Sequence, residues 1–122
     1  MTKVAINPVS EADCLVFDAA VAHWQKVLNL SDWRIERSAS RAKKNMAEVV
    51  FDAPARLATY RVGLSFGADK VTHRALMETA LHESLHILLH DLINADPSAM
   101  ESAEHRVINV LEKLLMKDLN AN

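Results

Sequence analysis

The chain has 122 residues, half of them hydrophobic, with a net charge of −2 and one cysteine. That length suits one domain with one core, the charge gives no global attraction to nucleic acid or to an acidic membrane surface, and a lone Cys14 excludes an intrachain disulfide. No uncharged apolar stretch reaches the roughly 18 residues of a membrane span, and residues 1–8 do not read as a signal peptide. The expectation is a single domain over residues 1–122 in the cytoplasm, with no membrane or nucleic-acid partner.

Ser10 and Asp13 have the spacing of a capping box. They open a helix whose apolar positions Phe17, Ala20, Val21, Trp24, Val27 and Leu28 follow three-four spacing and which ends near Asn29. Cys14 reads as a small core hydrophobe and His23 as a surface residue. From Trp33 to Arg37 apolar and polar residues alternate, as in a half-buried strand. The basic run over residues 38–45 is either a solvated loop or a contact for an acidic partner or substrate. Residues 46–51 form a second strand, 52–55 a turn, and 57–66 a third strand rich in β-formers. Gly63 marks either a bulge in it or a close backbone approach. Residues 67–70 then turn the chain into a long helix.

That helix, predicted over residues 71–93, is apolar on nearly every side, which is the pattern of a buried helix. It nevertheless carries His82-Glu83-x-x-His86. Histidines four residues apart project from one face and can converge on one tetrahedral zinc, with Glu83 on the flank where a general base stands. Zinc there acidifies a water to a pKa of about 7 and polarises a scissile carbonyl. Shuffling this composition yields such a pentad in roughly one sequence in fifty, so the motif needs context. The context is burial, since unpartnered buried polar groups cost about 1–3 kcal/mol each. Otherwise the two histidines are partly satisfied core residues. His73 lies on the opposite side of the helix, and His90, about 12 Å along the axis from His82, is structural and within reach of Glu101.

Asp96-Pro97 reads as an N-cap followed by proline at the first position of a new helix, antiparallel to the first. Counting outward from the turn places Glu104 and His105 level with His86, and Glu101 level with His90. On the wheel Met100, Ala103, Val107, Ile108, Val110, Leu111, Leu114 and Leu115 form an apolar sector with Glu104 inside it, Glu101 at its margin and His105 outside. A carboxylate within a core-facing stripe needs a partner, so Glu104 is the expected third zinc ligand; a structural ion pair is the other explanation.

With these residues the chain resembles the gluzincin branch of the zincin metallopeptidases, and especially the very small zincin-like proteins often encoded by phages. The resemblance implies Zn2+ on His82, His86 and Glu104, with Glu83 as catalytic base. It also implies a protein or peptide substrate and, for a phage-encoded protein, a role in the host cytoplasm controlling a phage or host protein. The family's larger members carry an orienting aspartate four residues after the glutamate ligand; Ile108 stands there, so another group must hold the first histidine. By the same resemblance the edge strand beside the motif helix, here residues 61–65, pairs with substrate backbone. His105 or Tyr60 stabilises the oxyanion. The expected architecture is α+β: an N-terminal helix, a sheet of about three strands, and an antiparallel helix hairpin carrying the site. The alternatives are a zincin-fold binding module with structural zinc, which suits so short a chain, and a metal-free interaction protein.

Overall fold

The computed structural model describes residues 6–93, 104, 105, 108, 109 and 111–117, with the backbone alone for residues 91–93. Helix α1, Glu11–Val27, begins where the Ser10 hydroxyl accepts from the Asp13 amide at 3.1 Å and the Asp13 carboxylate accepts from the Ser10 amide at 2.9 Å. Both bonds satisfy amides that a helix start leaves without partners. Phe17, Ala20, Val21 and Trp24 fill its core face, whereas Val27 is exposed. The helix closes at Val27, Asn29 turns the chain with a φ of 55°, and the buried position passes to Leu30.

Three strands follow: β1 Arg34–Arg37, β2 Ala47–Asp52 and β3 Leu57–Val62. They form a mixed sheet in the order β1-β3-β2, with β1 parallel and β2 antiparallel to β3. Ala58, Tyr60 and Val62 point alternately from β3 into the core, while Leu57, Thr59 and Arg61 are only partly covered. The strand expected at the edge, the one running into residues 61–65, is therefore the central one. Its neighbours carry the exposed charged residues Arg34, Glu36 and Asp52, which suit edges. The edge next to the long helix is β2. Gly63, past the end of β3, meets a close backbone approach: a Cβ there would stand 2.4 Å from the Asn45 carbonyl oxygen. Its amide donates to the Met46 carbonyl at 2.7 Å.

The basic loop after β1 is not wholly solvated. Arg41 donates to the carbonyls of Val62, Val9 and Gly63 at 3.0, 2.7 and 2.8 Å, pinning the loop across the end of the sheet. Lys43 and Lys44 remain exposed.

Helix α2, His73–Ile93, starts after Thr72, whose hydroxyl accepts from the Ala75 amide at 3.0 Å. It packs on α1 and on the same sheet face, and the indole of the buried Trp24 donates to the Met77 carbonyl at 3.0 Å. The described residues of a third helix, α3, are 104, 105, 108, 109 and 111–117. Glu104 meets His86 and Glu112 meets His82, so α3 runs antiparallel to α2. Ile108 and Met116 enter the core, with Leu111 and Leu115 packed beside them. Leu114, expected in the same stripe, is 57% exposed because it lies one residue off that face. The helix start at Asp96-Pro97 and the pairing of His90 with Glu101 lie outside the described residues. Among the described residues the architecture is thus α+β, three helices with a small three-stranded mixed sheet. Among the described residues no helix is long and apolar enough to cross a membrane.

Candidate metal centre

The face of α2 turned toward α3 and the β2 edge presents His82 and His86, one turn apart with ring centroids 5.0 Å from each other. His105 of α3 completes a triangle, 6.2 Å from His82 and 5.1 Å from His86. Each ring offers a nitrogen, and the three nitrogens lie within 4.8 Å of one another. That spacing makes the trio a candidate metal site, and bonds of 2.0–2.1 Å to zinc would require the rings to turn further toward one another.

Two carboxylates stand behind the histidines. Glu104 is 7% exposed, and its Oε1 lies 3.2 Å from Nδ1 of His86; Oε2 of Glu112 lies 3.1 Å from Nδ1 of His82. Each bond fixes one ring nitrogen and leaves Nε2 as the possible metal donor, the arrangement by which carboxylates orient histidine ligands. The bond from Glu112 raises the pKa of His82 above its ordinary value against the opposing effect of burial, while burial lowers that of His86 despite Glu104. A metal at His82 would have to compete with that proton, so its affinity there would rise with pH until the ring is neutral.

Glu104 thus does buried, core-facing work, as the wheel implies, but its carboxylate faces the outer nitrogen of His86 and it is not among the converging donors. Its neighbour His105, about 100° further round the helix, takes that place. The orienting group sought for the first histidine is Glu112, which sequence reasoning passed over. Seven residues, two helical turns, separate it from His105, so both share a face of α3; that periodicity was the available signal.

Glu83 is 8% exposed, and among the described residues none donates a hydrogen bond to its carboxylate. Burial pushes its pKa up to about 7, with Glu48 adding to the rise and His82 opposing it. All these groups except Glu104 line a cleft of about 770 Å³ between α2, α3 and β2, where Met46, Ala47 and Val49 form the strand wall.

The remaining histidines stay out. His73 and His23 are exposed, the latter edge-on to Trp24 at 4.7 Å. His90 stacks on Phe51 with centroids 4.0 Å apart and meets Trp33 edge-on at 5.7 Å. Tyr60 is not an oxyanion group of this cleft. It is buried in the core beside Phe17, and its hydroxyl donates to Asp18 of α1 at 2.6 Å. Compared with known proteins, the chain matches no protein-family model, no curated protein and no solved structure.

Proposed function

We propose that the chain is a small zinc-dependent peptidase of zincin-like type, with His82, His86 and His105 as the metal-holding residues and Glu83 as the general base. The observation that carries this reading is the meeting, in one open cleft, of three converging imidazoles with a buried carboxyl whose pKa is near 7. Structural zinc sites are closed by four protein ligands, whereas catalytic ones keep three and an open position. Three histidines facing a cleft fit the second class.

When bound, zinc supplies the Lewis acidity that acidifies water and polarises a carbonyl. Glu83, poised near neutrality, accepts the proton of the attacking water and returns it to the leaving amine. Glu104 and Glu112 keep the imidazoles turned toward the cleft.

The β2 edge offers the means of holding an extended peptide. The Gly63 amide bonds to the Met46 carbonyl, so in the antiparallel register the pairs Met46–Gly63, Glu48–Arg61 and Val50–Thr59 exchange hydrogen bonds. The backbone groups of Ala47, Val49 and Phe51 then point away from β3, and a substrate strand adds there along the cleft.

The test is elemental analysis of the purified protein and of its His82→Ala, His105→Ala and Glu104→Ala variants, joined to a peptide-library digest with and without chelator. One zinc per chain, lost in both histidine variants, with chelator-sensitive cleavage supports the reading. Loss of zinc in Glu104→Ala but not in His105→Ala restores Glu104 as the third ligand. Bound zinc without cleavage indicates a binding module, and a wild type that takes up no zinc leaves a metal-free interaction protein.

A further inference from the structure

The cleft continues past the histidines. Beyond Glu78 one arm runs beside Lys70 and Arg74 at the start of α2, and another runs between α2 and α3 beside Lys113 and Lys117. Glu78 borders both arms and the metal cleft, so the three adjoin one another at its side chain. Lys44 stands on the rim at the start of β2.

The charges in this part of the groove are unbalanced. Glu78 is taken by Arg74 at 3.0 Å and Glu112 by His82 at 3.1 Å. Among the described residues Lys44, Lys70, Lys113 and Lys117 have no ion-pair partner, and Asp69 is the one acid lining these arms that is likewise unpaired. A chain whose net charge is −2 thus concentrates uncompensated cations at one end of its cleft. The other end is bounded by Val49 and Phe51.

We propose that this lysine-lined end binds an acidic segment of the peptide, so that the preferred ligand carries several Asp or Glu residues on the side of its central stretch that lies toward the start of β2. The inference rests on reading the cleft as a peptide site. Lysines act here as mobile point charges, which suits a preference for acidic composition over one fixed sequence. An acidic segment gains from each exposed pair only modestly, so several together account for the selectivity.

The experiment is equilibrium binding to the zinc-supplied Glu83→Gln protein, read by fluorescence anisotropy. The labelled peptides share an apolar core and carry a run of Glu, Gln or Lys at either end. The Glu peptide is expected to bind about tenfold tighter than the Gln peptide, with the Lys peptide weakest. That advantage should shrink as salt shortens the screening length, and should fall in Lys113→Glu/Lys117→Glu and separately in Lys70→Glu. Equal binding of the three peptides overturns the proposal, as does a Glu preference untouched by all of these variants. Displacement of the Glu peptide by a single-stranded oligonucleotide at equal concentration also overturns it, in favour of a phosphate backbone as ligand. Because binding needs no turnover, failure of wild-type protein to cut any peptide sinks the hydrolytic reading and leaves this result to stand or fall alone.

Discussion

Two regions of the molecule hold acids beside aromatic or imidazole rings, and they differ in what those groups have left to offer. Between α1 and the sheet, Asp18 accepts from the Tyr60 hydroxyl at 2.6 Å and from Arg37 at 3.1 Å, and Arg37 also reaches Glu11. Every member of that network is satisfied by another, and burial with Asp18 raises the tyrosine pKa well above its ordinary value. Between α2, α3 and β2 the pairing is incomplete. Glu104 and Glu112 each hold one side of an imidazole, and Glu83 is left with no hydrogen-bond donor among the described residues. A closed network serves stability, whereas groups held in place with an unused donor or acceptor are equipped to bind something else.

The sharpest way to break that contrast is at Glu83. Its replacement by Gln keeps the shape and removes the base, so kcat/KM is expected to fall by about 10²- to 10⁴-fold with zinc content unchanged. Steady-state cleavage of a peptide found in the library digest measures it, and near-normal turnover would falsify the assigned role.

The same substitution has an effect of opposite sign on the metal-free fold. Burial holds the proton on native Glu83 to about pH 7, against the ordinary glutamate value of 4.5 expected once the chain unfolds. Between these values the native state binds more protons, so stability falls as pH rises. By pH 8 the loss amounts to about 3 kcal/mol. Metal-free Glu83→Gln should therefore be more stable than wild type at pH 8 and about equal to it at pH 4. Urea unfolding at the two pH values decides the matter, and a wild type as stable as the variant at pH 8 would show that this carboxyl carries no burial penalty.

A smaller effect separates orientation from ligation. Glu112→Ala leaves three histidines in place but frees the His82 ring, and zinc affinity should drop by about 10- to 100-fold. Competition with a chromogenic chelator reads this directly. An affinity like that of wild type means that the contact at 3.1 Å does not position the ring.

How much of this is legible in the sequence varies with the range of the interaction. The α1 cap, the motif helix and the buried place of Glu104 follow from contacts within a few residues, and the structure has all three. Strand order does not follow, because a period of two assigns faces and says nothing about neighbours. Both β2 and β3 alternate, and the parallel pairing of β1 with β3 spans the whole of β2. The candidate metal centre lies between these cases. A helical wheel gives the angle of Glu104 and His105 to within tens of degrees, enough to send one inward and the other to the cleft. It does not say that the glutamate meets the outer side of an imidazole, since that depends on how closely α3 approaches α2.

The least disruptive test lies in the closed network. Tyr60→Phe removes one hydrogen bond to Asp18 and leaves the acid its ion pair with Arg37 at 3.0 Å. Because Asp18 stays partnered, the cost should be that of a single bond to a charged acceptor, about 1.5–3 kcal/mol, seen as a lower urea midpoint. The phenyl ring still packs against Phe17, whose centroid is 5.4 Å away, so the core keeps its volume. Zinc content and kcat/KM should be unchanged, because the hydroxyl lies in the core against α1 and outside the cleft. An oxyanion role for Tyr60 predicts the reverse, with full stability and activity lower by orders of magnitude. The two measurements on one variant therefore decide whether the regions are separate in function as they are in space.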